Sequence, residues 1–344
     1  MIIIATIGRY QTEEKTRKAI LAGADILRFN FSRRSSEENT AFVKFAKETI
    51  DDLNAGAKTL IDCPINKIRL GDFRLKSFAV RENEEFICKS GSFTLDCNTF
   101  IPINTTKIGE KINLNQMITI GDGEIAIQVI DILDPDTIKI KILNNGVIEY
   151  MRTLNIPFAE NSEQFIALYK DIFTKTAETE PNYFALSYMD RETNEEIKKL
   201  PELRGQLSKT LMIIKIDNKN SVADMEQLFQ DSFYNMVILD RGEIGVNIPF
   251  EKLAIIQKKA ILLSKKYNKP LIISSQILES TINNFIPSRA ETTALAEMVW
   301  DGVKGIMFCK ETGYETRPTY SISVAKKIIV EAEKYLQTYG IQQS

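Results

Sequence analysis

The chain has 344 residues, of which 44% are hydrophobic and 26% charged, and its formal net charge is −2. These values are ordinary for a globular protein of about two domains, and they argue against a nucleic-acid-binding domain. Because the sequence contains no histidine, Ser-His triads, histidine general bases and nearly all catalytic zinc sites are excluded. The chemistry must therefore use lysine, arginine, carboxylates, hydroxyls or a bound metal.

The sequence carries no targeting or membrane signal that we recognise. Residues 1–7 are too short for the apolar core of a signal peptide, and no segment approaches the roughly 18 apolar residues of a membrane span. The cysteines show no C-x-x-C motif and no metal-ligand spacing; they are Cys63, Cys88, Cys97 and Cys309. We therefore expect a cytoplasmic protein with reduced thiols and with neither a membrane nor a nucleic acid as partner.

Short apolar runs alternate with amphipathic stretches along the chain. Strands that are apolar on both faces, with helices between them, predict a parallel sheet. The runs lie at 2–6, 26–31, 59–62, 184–188, 211–216, 236–240, 271–275 and 305–309. The helical patterns include 12–22, 36–53, 250–265 and 320–339. Eight such units predict an α/β fold, a (β/α)₈ TIM barrel with its active site at the carboxyl ends of the strands.

One interval, from about 71 to 157, breaks this rhythm. It contains short alternating strands such as 85–89 and 137–142, and turn signals such as 121–123 and 144–146. We predict a small antiparallel β-barrel-like domain inserted after strand 3. The barrel domain would then comprise 1–70 and 158–344, and the inserted domain 71–157. Its insertion point favours a lid over the barrel mouth, the alternative being a structural decoration.

Two carboxylates, a lysine and a hydroxyl follow successive predicted strands. Asp217 and Glu243 are candidate Mg²⁺ or Mn²⁺ ligands, because hard cations take oxygen ligands and two carboxylates leave positions for substrate and water. Surface salt bridges are the alternative role for these acids. Lys215 beside them suits the stabilisation of a transferring phosphoryl group or an enolate. Ser275 offers a hydroxyl, and the turn at Gly242 and Glu243 offers backbone N–H groups to a substrate carboxylate or phosphate.

This succession resembles the core of pyruvate kinase. Residues 28–34 (R-F-N-F-S-R-R) are similar to the family's R-x-N-F-S-H-G after strand 2, and 61–69 (I-D-C-P-I-N-K-I-R) to its L-D-x-x-G-P-x-I-R after strand 3. The resemblance implies that Arg28 and Arg69 bind the phosphate of phosphoenolpyruvate, which suits guanidinium geometry. It runs from about 3 to 335 and includes the inserted domain. We expect the family's carboxyl-terminal domain to be missing and the protein to be a homodimer through barrel surfaces.

The same resemblance implies a vestigial monovalent-cation site. The family's potassium positions correspond to Asn30, Ser32, Asp62 and the carbonyl of Cys63. Lys67 occupies the place where some members carry a lysine whose charge replaces potassium. We therefore expect that K⁺ is not required.

The catalytic motifs depart from the family pattern at two points. The family has Glu in K-I-E-N and Asp in R-G-D-L-G, whereas this chain has Asp217 and Glu243, a transposition that redistributes the reach of the two acids. Residues 309–312 (C-K-E-T) resemble the S-G-E-T loop used in proton delivery. Cys309 replaces the serine of that loop, and Glu311 is kept as a candidate catalytic residue.

The nucleotide side departs further. The family's histidine after N-F-S is Arg33, and its lysine after E-T-A is Tyr314. The inserted domain's K-G-I-N-L-P-G reads R-T-L-N-I-P-F at 152–158. By resemblance, the candidate nucleotide-binding residues are Asn30, Arg33, Arg69 and Arg152.

Three functions stay open on these residues. The first is a pyruvate kinase-like phosphotransferase of glycolysis, which moves a phosphoryl group from phosphoenolpyruvate to ADP and gives pyruvate and ATP through a Mg²⁺-bound enolate. Lys215 and Arg28 would spread the developing charge, and Ser275 with water would protonate the enolate. The second keeps phosphoenolpyruvate or pyruvate enolate chemistry but uses another acceptor, as in specialised metabolism. The third is a catalytically silent phosphoenolpyruvate-binding regulator.

Overall fold

The computed structural model describes residues 1–8, 12–32, 35–63, 67–156, 162–313 and 317–339. The chain divides into two compact units. The barrel unit comprises Met1–Ile65, Asn161–Ile244 and Phe250–Ser344, and the inserted unit comprises Asn66–Glu160 with Gly245–Pro249. Over the described ranges, no helix has both the length and the apolar character needed to cross a bilayer.

The strands follow the predicted order. Three barrel strands come before the inserted unit: β1 (Ile2–Thr6), β2 (Ile26–Asn30) and β3 (Lys58–Asp62). The inserted unit contributes β4 (Asp72–Phe73), β5 (Ser77–Val80), β6 (Glu85–Ser90), β7 (Phe93–Thr94), β8 (Ile101–Ile103), β9 (Met117–Ile120), β10 (Ile125–Asp134), β11 (Thr137–Ile142), β12 (Gly146–Glu149) and β13 (Leu154–Asn155). The remaining strands are β14 (Tyr183–Ser187), β15 (Leu211–Ile216), β16 (Met236–Asp240), β17 (Leu271–Ser274) and β18 (Gly305–Phe308).

Eight parallel strands close into a barrel, which confirms the predicted fold. They run β1, β2, β3, β14, β15, β16, β17 and β18 around the barrel, and β18 returns to β1 with Gly305 opposite Ile2. The barrel interior is packed with buried apolar side chains, which explains the continuous apolar runs in the sequence. They are Ile4, Ile26, Leu60, Ala185, Ile213, Met236, Ile238, Ile272 and Met307.

Helices connect the barrel strands. They are α1 (Glu13–Ala22), α2 (Ser36–Asp52), α3 (Ser162–Thr176), α4 (Arg191–Lys199), α5 (Pro201–Arg204), α6 (Lys219–Ala223), α7 (Met225–Gln230), α8 (Arg241–Asn247), α9 (Leu253–Lys266), α10 (Arg289–Trp300), α11 (Lys310–Gly313) and α12 (Pro318–Tyr339). Short 3₁₀ turns lie at Ile108–Glu110, Ala177–Thr179, Phe250–Lys252 and Glu279–Ile282. The predicted helix over 250–265 is thus a 3₁₀ turn followed by α9.

Side-chain caps fix where two of these helices begin. Ser35 and Glu38 form a capping box before α2, and Ser288 and Glu291 form one before α10. In each, a serine hydroxyl accepts a backbone N–H while the glutamate accepts the N–H of the serine, so two unpaired helix donors are satisfied. Ser288 and Glu291 therefore cap the amino-terminal end of α10.

The inserted unit has a separate hydrophobic core. Its main sheet has six strands in the order β13, β9, β10, β11, β6 and β8, accompanied by the pairs β12–β5 and β4–β7. Most neighbours are antiparallel, whereas β6–β8 and β4–β7 are parallel. Buried residues of these strands, such as Phe73, Ile101, Ile127 and Ile140, form the core. The alternating pattern in the sequence reflects strands with one buried face.

Candidate active site

Lys215 lies among three carboxylates at the carboxyl ends of β3, β15 and β16. Its Nζ is 3.4 Å from Asp62 Oδ1, 3.7 Å from Asp217 Oδ2 and 3.8 Å from Asp240 Oδ2. Burial opposes the charge of this side chain, but attraction to the three acids outweighs it and raises the pKa of Lys215. These distances exceed the ~2.7–2.9 Å of charge-assisted hydrogen bonds. The ammonium is therefore kept charged while its N–H groups can still donate to an incoming oxygen.

Arg28, on β2, shares one of these carboxylates. Its Nε donates to Asp62 Oδ2 at 2.7 Å, and its Nη2 lies 2.6 Å from the same oxygen. Its Nη1 donates to Thr6 Oγ1 at 2.8 Å, and that hydroxyl donates to the Phe308 carbonyl at 2.6 Å. Burial opposes the guanidinium charge, but the attraction of Asp62 outweighs it and raises the pKa of Arg28. Asp62 is thus the common counter-ion of Arg28 and Lys215.

Asp217 is a buried carboxylate, 1% exposed. Neither of its oxygens accepts a hydrogen bond from the described residues. Burial raises the pKa of Asp217 to about 8; Lys215 and the Ser187 hydroxyl oppose this rise, and Asp240 and Glu243 add to it. A buried acid whose oxygens accept no well-aligned hydrogen bond, close to other acids, is a suitable partner for a cation.

Glu243 lies in the first turn of α8, directly after β16, and it acts electrostatically on Asp217. Among the described residues, no group of three or more acidic or cysteine side chains forms a complete metal cage. A divalent cation held by Asp217 and Glu243 would take its other ligands from water or substrate, as Mg²⁺ commonly does. The donor set fits such an ion.

Ser275 is held in an unusual backbone conformation just beyond β17. Its φ is +69°, and that of Gln276 is +51°, a left-handed region that few non-glycine residues occupy. Arg241 Nη2 donates to both carbonyls, at 2.7 Å to Ser275 and 2.9 Å to Gln276. The Ser275 hydroxyl donates to Asp240 Oδ1 at 2.9 Å. The guanidinium and the carboxylate together fix where this hydroxyl lies.

Glu311 stabilises the same loop by accepting hydrogen bonds from its backbone. Its Oε1 accepts the N–H groups of Ile277 at 2.9 Å and Leu278 at 3.2 Å, and its Oε2 accepts that of Cys309 at 3.0 Å. Burial raises the pKa of Glu311, and these N–H groups oppose the rise. Cys309 Sγ lies 3.6 Å from Ser275 Oγ, and burial raises the pKa of its thiol to about 12. The structure places Glu311 as a backbone brace for the loop that carries Ser275.

The predicted monovalent-cation positions take part in internal hydrogen bonds. Asn30 Oδ1 accepts the N–H of Ser32 at 2.9 Å. The Cys63 carbonyl accepts hydroxyl groups of Tyr169 at 3.3 Å and Ser187 at 3.2 Å. Asp62, the remaining member, pairs with the two cations described above. The polar atoms of these positions are therefore engaged in contacts within the barrel unit.

Three candidate residues belong to the inserted unit: Lys67, Arg69 and Arg152. Arg69 Nη1 donates to Thr153 Oγ1 at 3.0 Å. Arg152 forms ion pairs with Glu124 at 2.8 Å and with Glu149 at 3.2 Å. Arg33 lies outside the described residues.

The structure thus brings together the barrel residues Arg28, Asp62, Lys215, Asp217, Gly242, Glu243, Ser275 and Glu311. It adds polar residues that the sequence analysis did not single out, namely Thr6, Ser187, Asp240 and Arg241. Two of them had a recognisable signal. Asp240 is a carboxylate that ends an apolar strand, as Asp62 does, and Arg241 stands at the arginine of the family's R-G-D-L-G.

Comparisons with known proteins agree with this geometry. The chain matches the family model described as pyruvate kinase, barrel domain, over residues 1–322. It is 30% identical over 339 residues to the pyruvate kinase of Thermotoga maritima, covering 98% of this chain and 72% of that one. It is also 30% identical over 343 residues to the pyruvate kinase of Buchnera aphidicola, covering 96% and 69% respectively.

A solved structure shows the same fold. The crystal structure of Cryptosporidium parvum pyruvate kinase superposes with a TM-score of 0.84 at 24% identity. The match covers 96% of this chain and 70% of that chain.

Proposed function

Since the chain belongs to the pyruvate kinase family, we propose that it transfers a phosphoryl group between phosphoenolpyruvate and ADP, giving pyruvate and ATP. It is a pyruvate kinase-like phosphotransferase. One observation carries the proposal: Lys215 Nζ lies 3.4 to 3.8 Å from three carboxylates and shares Asp62 with Arg28. Two fixed cations at the end of a barrel are what a transferring phosphoryl group needs, because phosphoryl transfer depends on positioning and charge stabilisation.

The charge balance of the mouth favours a divalent cation. Among the described residues of the site, the cationic side chains are Arg28, Lys215 and Arg241, and the carboxylates are Asp62, Asp217, Asp240, Glu243 and Glu311. When all are ionised, the difference of two negative charges equals the charge of one Mg²⁺ or Mn²⁺ ion. Asp217 and Glu243 would hold it, and when bound it supplies Lewis-acid polarisation of substrate oxygens. We expect Lys67 to make K⁺ unnecessary.

Each remaining residue has a role that its contacts support. Arg28, oriented by Asp62 and Thr6, binds phosphate oxygens with its planar guanidinium. Lys215 donates to oxygens that gain charge as the phosphoryl group leaves. The turn at Gly242 and Glu243 offers backbone N–H groups to the substrate carboxylate. Ser275 would supply the hydroxyl that exchanges a proton with the substrate carbon.

The proposal predicts pyruvate formation that depends on both ADP and a divalent cation. Purified protein with phosphoenolpyruvate and Mg²⁺ should form pyruvate and ATP only when ADP is added. Excess EDTA should abolish the reaction, and Mg²⁺ or Mn²⁺ should restore it, whereas replacing K⁺ by a tetraalkylammonium ion should change the rate less than about twofold. Pyruvate formed at the same rate without ADP would contradict ADP as the acceptor.

A second candidate function, the use of another acceptor, is favoured by one observation. Arg152, a candidate nucleotide-binding residue, forms ion pairs with Glu124 and Glu149 within the inserted unit. Incubation with phosphoenolpyruvate, Mg²⁺ and a panel of alternative acceptors, followed by ³¹P NMR, would reveal a new phosphoryl ester. Strict ADP dependence would exclude this function. Thermal stabilisation by phosphoenolpyruvate without any turnover would instead indicate a silent regulator.

Replacing Gly242 by alanine should slow turnover severalfold, by less than about tenfold. An added Cβ at this position would lie 3.0 Å from Ser275 Oγ and 3.1 Å from Ser275 Cβ. Because Arg241 fixes the Ser275 backbone, the hydroxyl must move by a few tenths of an ångström, and misplacement by ~1 Å can cost ~10²-fold in rate. The matched control is Gly245→Ala in the same helix, whose added Cβ meets no atom within 4 Å. Equal kcat values for the two variants would show that the placement of Ser275 does not limit turnover.

A further inference from the structure

Asp240 is a buried carboxylate at the mouth of the barrel that the roles above leave unassigned. It ends β16 and is 5% exposed. Its two oxygens have different partners: Oδ1 accepts the Ser275 hydroxyl at 2.9 Å, and Oδ2 lies 3.8 Å from Lys215 Nζ. The shorter of the two contacts is the one between Asp240 and the Ser275 hydroxyl. If Asp240 were only a counter-ion of Lys215, it would not need this hydrogen bond.

The alignment of the hydroxyl with Asp240 is imposed by the loop. The left-handed φ of +69° at Ser275 is maintained by Arg241, which donates to the carbonyls of Ser275 and Gln276. Gly242 leaves only 3.0 Å between its ideal Cβ position and Ser275 Oγ, so the side chain has little room on that side. The Ser275 proton is thus directed at Asp240, and the lone pairs of Oγ are left to accept a proton from a neighbouring group.

We propose that Asp240 and Ser275 form a proton-transfer pair that acts on the carbon atom of the substrate, with Asp240 as the terminal base. The inference rests on the proposed function, because it takes pyruvate and its enolate as the reacting species. It deepens that function by assigning the proton to a particular carboxylate.

The transfer balances without a further reactant. In the direction of enolisation, a C–H bond of the pyruvate methyl group breaks and its electron pair forms the C2–C3 double bond. The carbonyl oxygen gains the negative charge, which Lys215 stabilises. Ser275 Oγ takes the methyl proton while its own proton passes to Asp240 Oδ1. In the reverse direction, neutral Asp240 returns a proton to Ser275 Oγ as the hydroxyl protonates the enolate carbon. Water re-equilibrates Asp240 between turnovers.

The test compares proton transfer with phosphoryl transfer in the same variants. Exchange of the pyruvate methyl protons in D₂O is followed by ¹H NMR with Mg²⁺ and ATP, and ATP formation from phosphoenolpyruvate and ADP is measured separately. Asp240→Asn should slow exchange about 10²-fold, the usual contribution of general acid–base catalysis, and slow ATP formation less than tenfold. Ser275→Ala should show the same division, and the double variant should lose no more than either single one.

Two further variants separate the proposal from a structural role. Asp240→Glu keeps the charge facing Lys215 but displaces the carboxylate by about one C–C bond, so the rate of methyl-proton exchange should fall. This variant tests the proposal if Asp240→Asn does not fold. The matched control is Asp171→Asn, which removes a carboxylate that accepts the Ser36 hydroxyl at 2.8 Å between the outer helices α2 and α3. That change should leave both rates unaltered.

The outcomes are distinguishable. If folded Asp240 variants exchange methyl protons at the wild-type rate, or if exchange and ATP formation fall by the same factor, the proton pair is refuted while the phosphotransferase assignment stands. If the wild-type protein shows Asp240-dependent exchange but forms no ATP, the proton pair stands and the phosphotransferase assignment fails. If the wild-type protein shows no exchange, the proton pair is refuted outright.

Discussion

Replacing Lys215 by methionine is expected to lower kcat for pyruvate formation about a thousandfold. A single cation that stabilises the charge of a phosphoryl-transfer transition state is worth ~10³-fold or more in rate. Lys215 suits this role because it is 6% exposed and its charge is maintained by Asp62, Asp217 and Asp240. Methionine keeps much of the side-chain volume but removes the charge. The measurement is kcat at saturating phosphoenolpyruvate, ADP and Mg²⁺.

An exposed lysine provides the control for this result. Lys44 Nζ pairs with Glu178 Oε2 at 3.1 Å on the outer surface, so Lys44→Met removes the same charge away from the barrel mouth and should leave kcat unchanged. Lys215→Arg, which keeps the charge but alters its position, should be intermediate. If Lys215→Met is folded by circular dichroism and keeps more than a tenth of the wild-type kcat, Lys215 does not stabilise the transition state.

Replacing Asp62 by alanine is expected to destabilise the protein by about 3–5 kcal/mol, the usual cost of leaving a buried charge without its partner. Asp62 accepts Arg28 Nε at 2.7 Å and lies 3.4 Å from Lys215 Nζ, so its loss leaves two buried cations short of a counter-ion. At ~2–4 °C per kcal/mol for a large domain, the melting temperature should fall by on the order of 10 °C. Differential scanning calorimetry measures this fall.

The same exposed ion pair supplies the control for stability. Glu178→Ala removes a carboxylate whose side chain is 84% exposed, and such pairs contribute about 0–1 kcal/mol. Asp62→Asn keeps one acceptor oxygen for Arg28 and should lose less stability than Asp62→Ala. A melting temperature for Asp62→Ala equal to that of Glu178→Ala would show that Arg28 and Lys215 do not depend on Asp62.

The sequence was sufficient to predict the barrel and the placement of its main residues. Continuous apolar runs such as 211–216 and 236–240 are short and alternate with helical patterns, which indicates strands covered on both sides. Parallel strands bring their carboxyl ends to one rim, which predicts that Lys215, Asp217 and Ser275 lie near one another. The inserted β-unit was predicted from its change of period, although its parallel pairs were not, because period alone does not fix strand direction.

The finer contacts could not be read from the sequence because they depend on three-dimensional detail. β17 ends at Ser274, one residue earlier than the pattern indicates, so Ser275 leaves the ladder and takes a left-handed conformation. In that conformation its hydroxyl donates to Asp240 Oδ1. Likewise, Asp62 contacts Lys215 across more than 150 positions of sequence, and no local pattern indicates which acid will face which cation.

Closure of the barrel has a consequence for how the protein is made. β1 pairs with β18, with Ile2 opposite Gly305, so one edge of β1 stays uncovered until the residues up to β18 have been synthesised. At ~5–20 residues per second, this delay is on the order of 15–60 s. During that time the nascent barrel presents an open apolar edge of the kind that chaperones bind. The inserted unit has a core of its own and comes almost entirely from one continuous segment, Asn66–Glu160, so most of it can fold on the ribosome before the barrel closes.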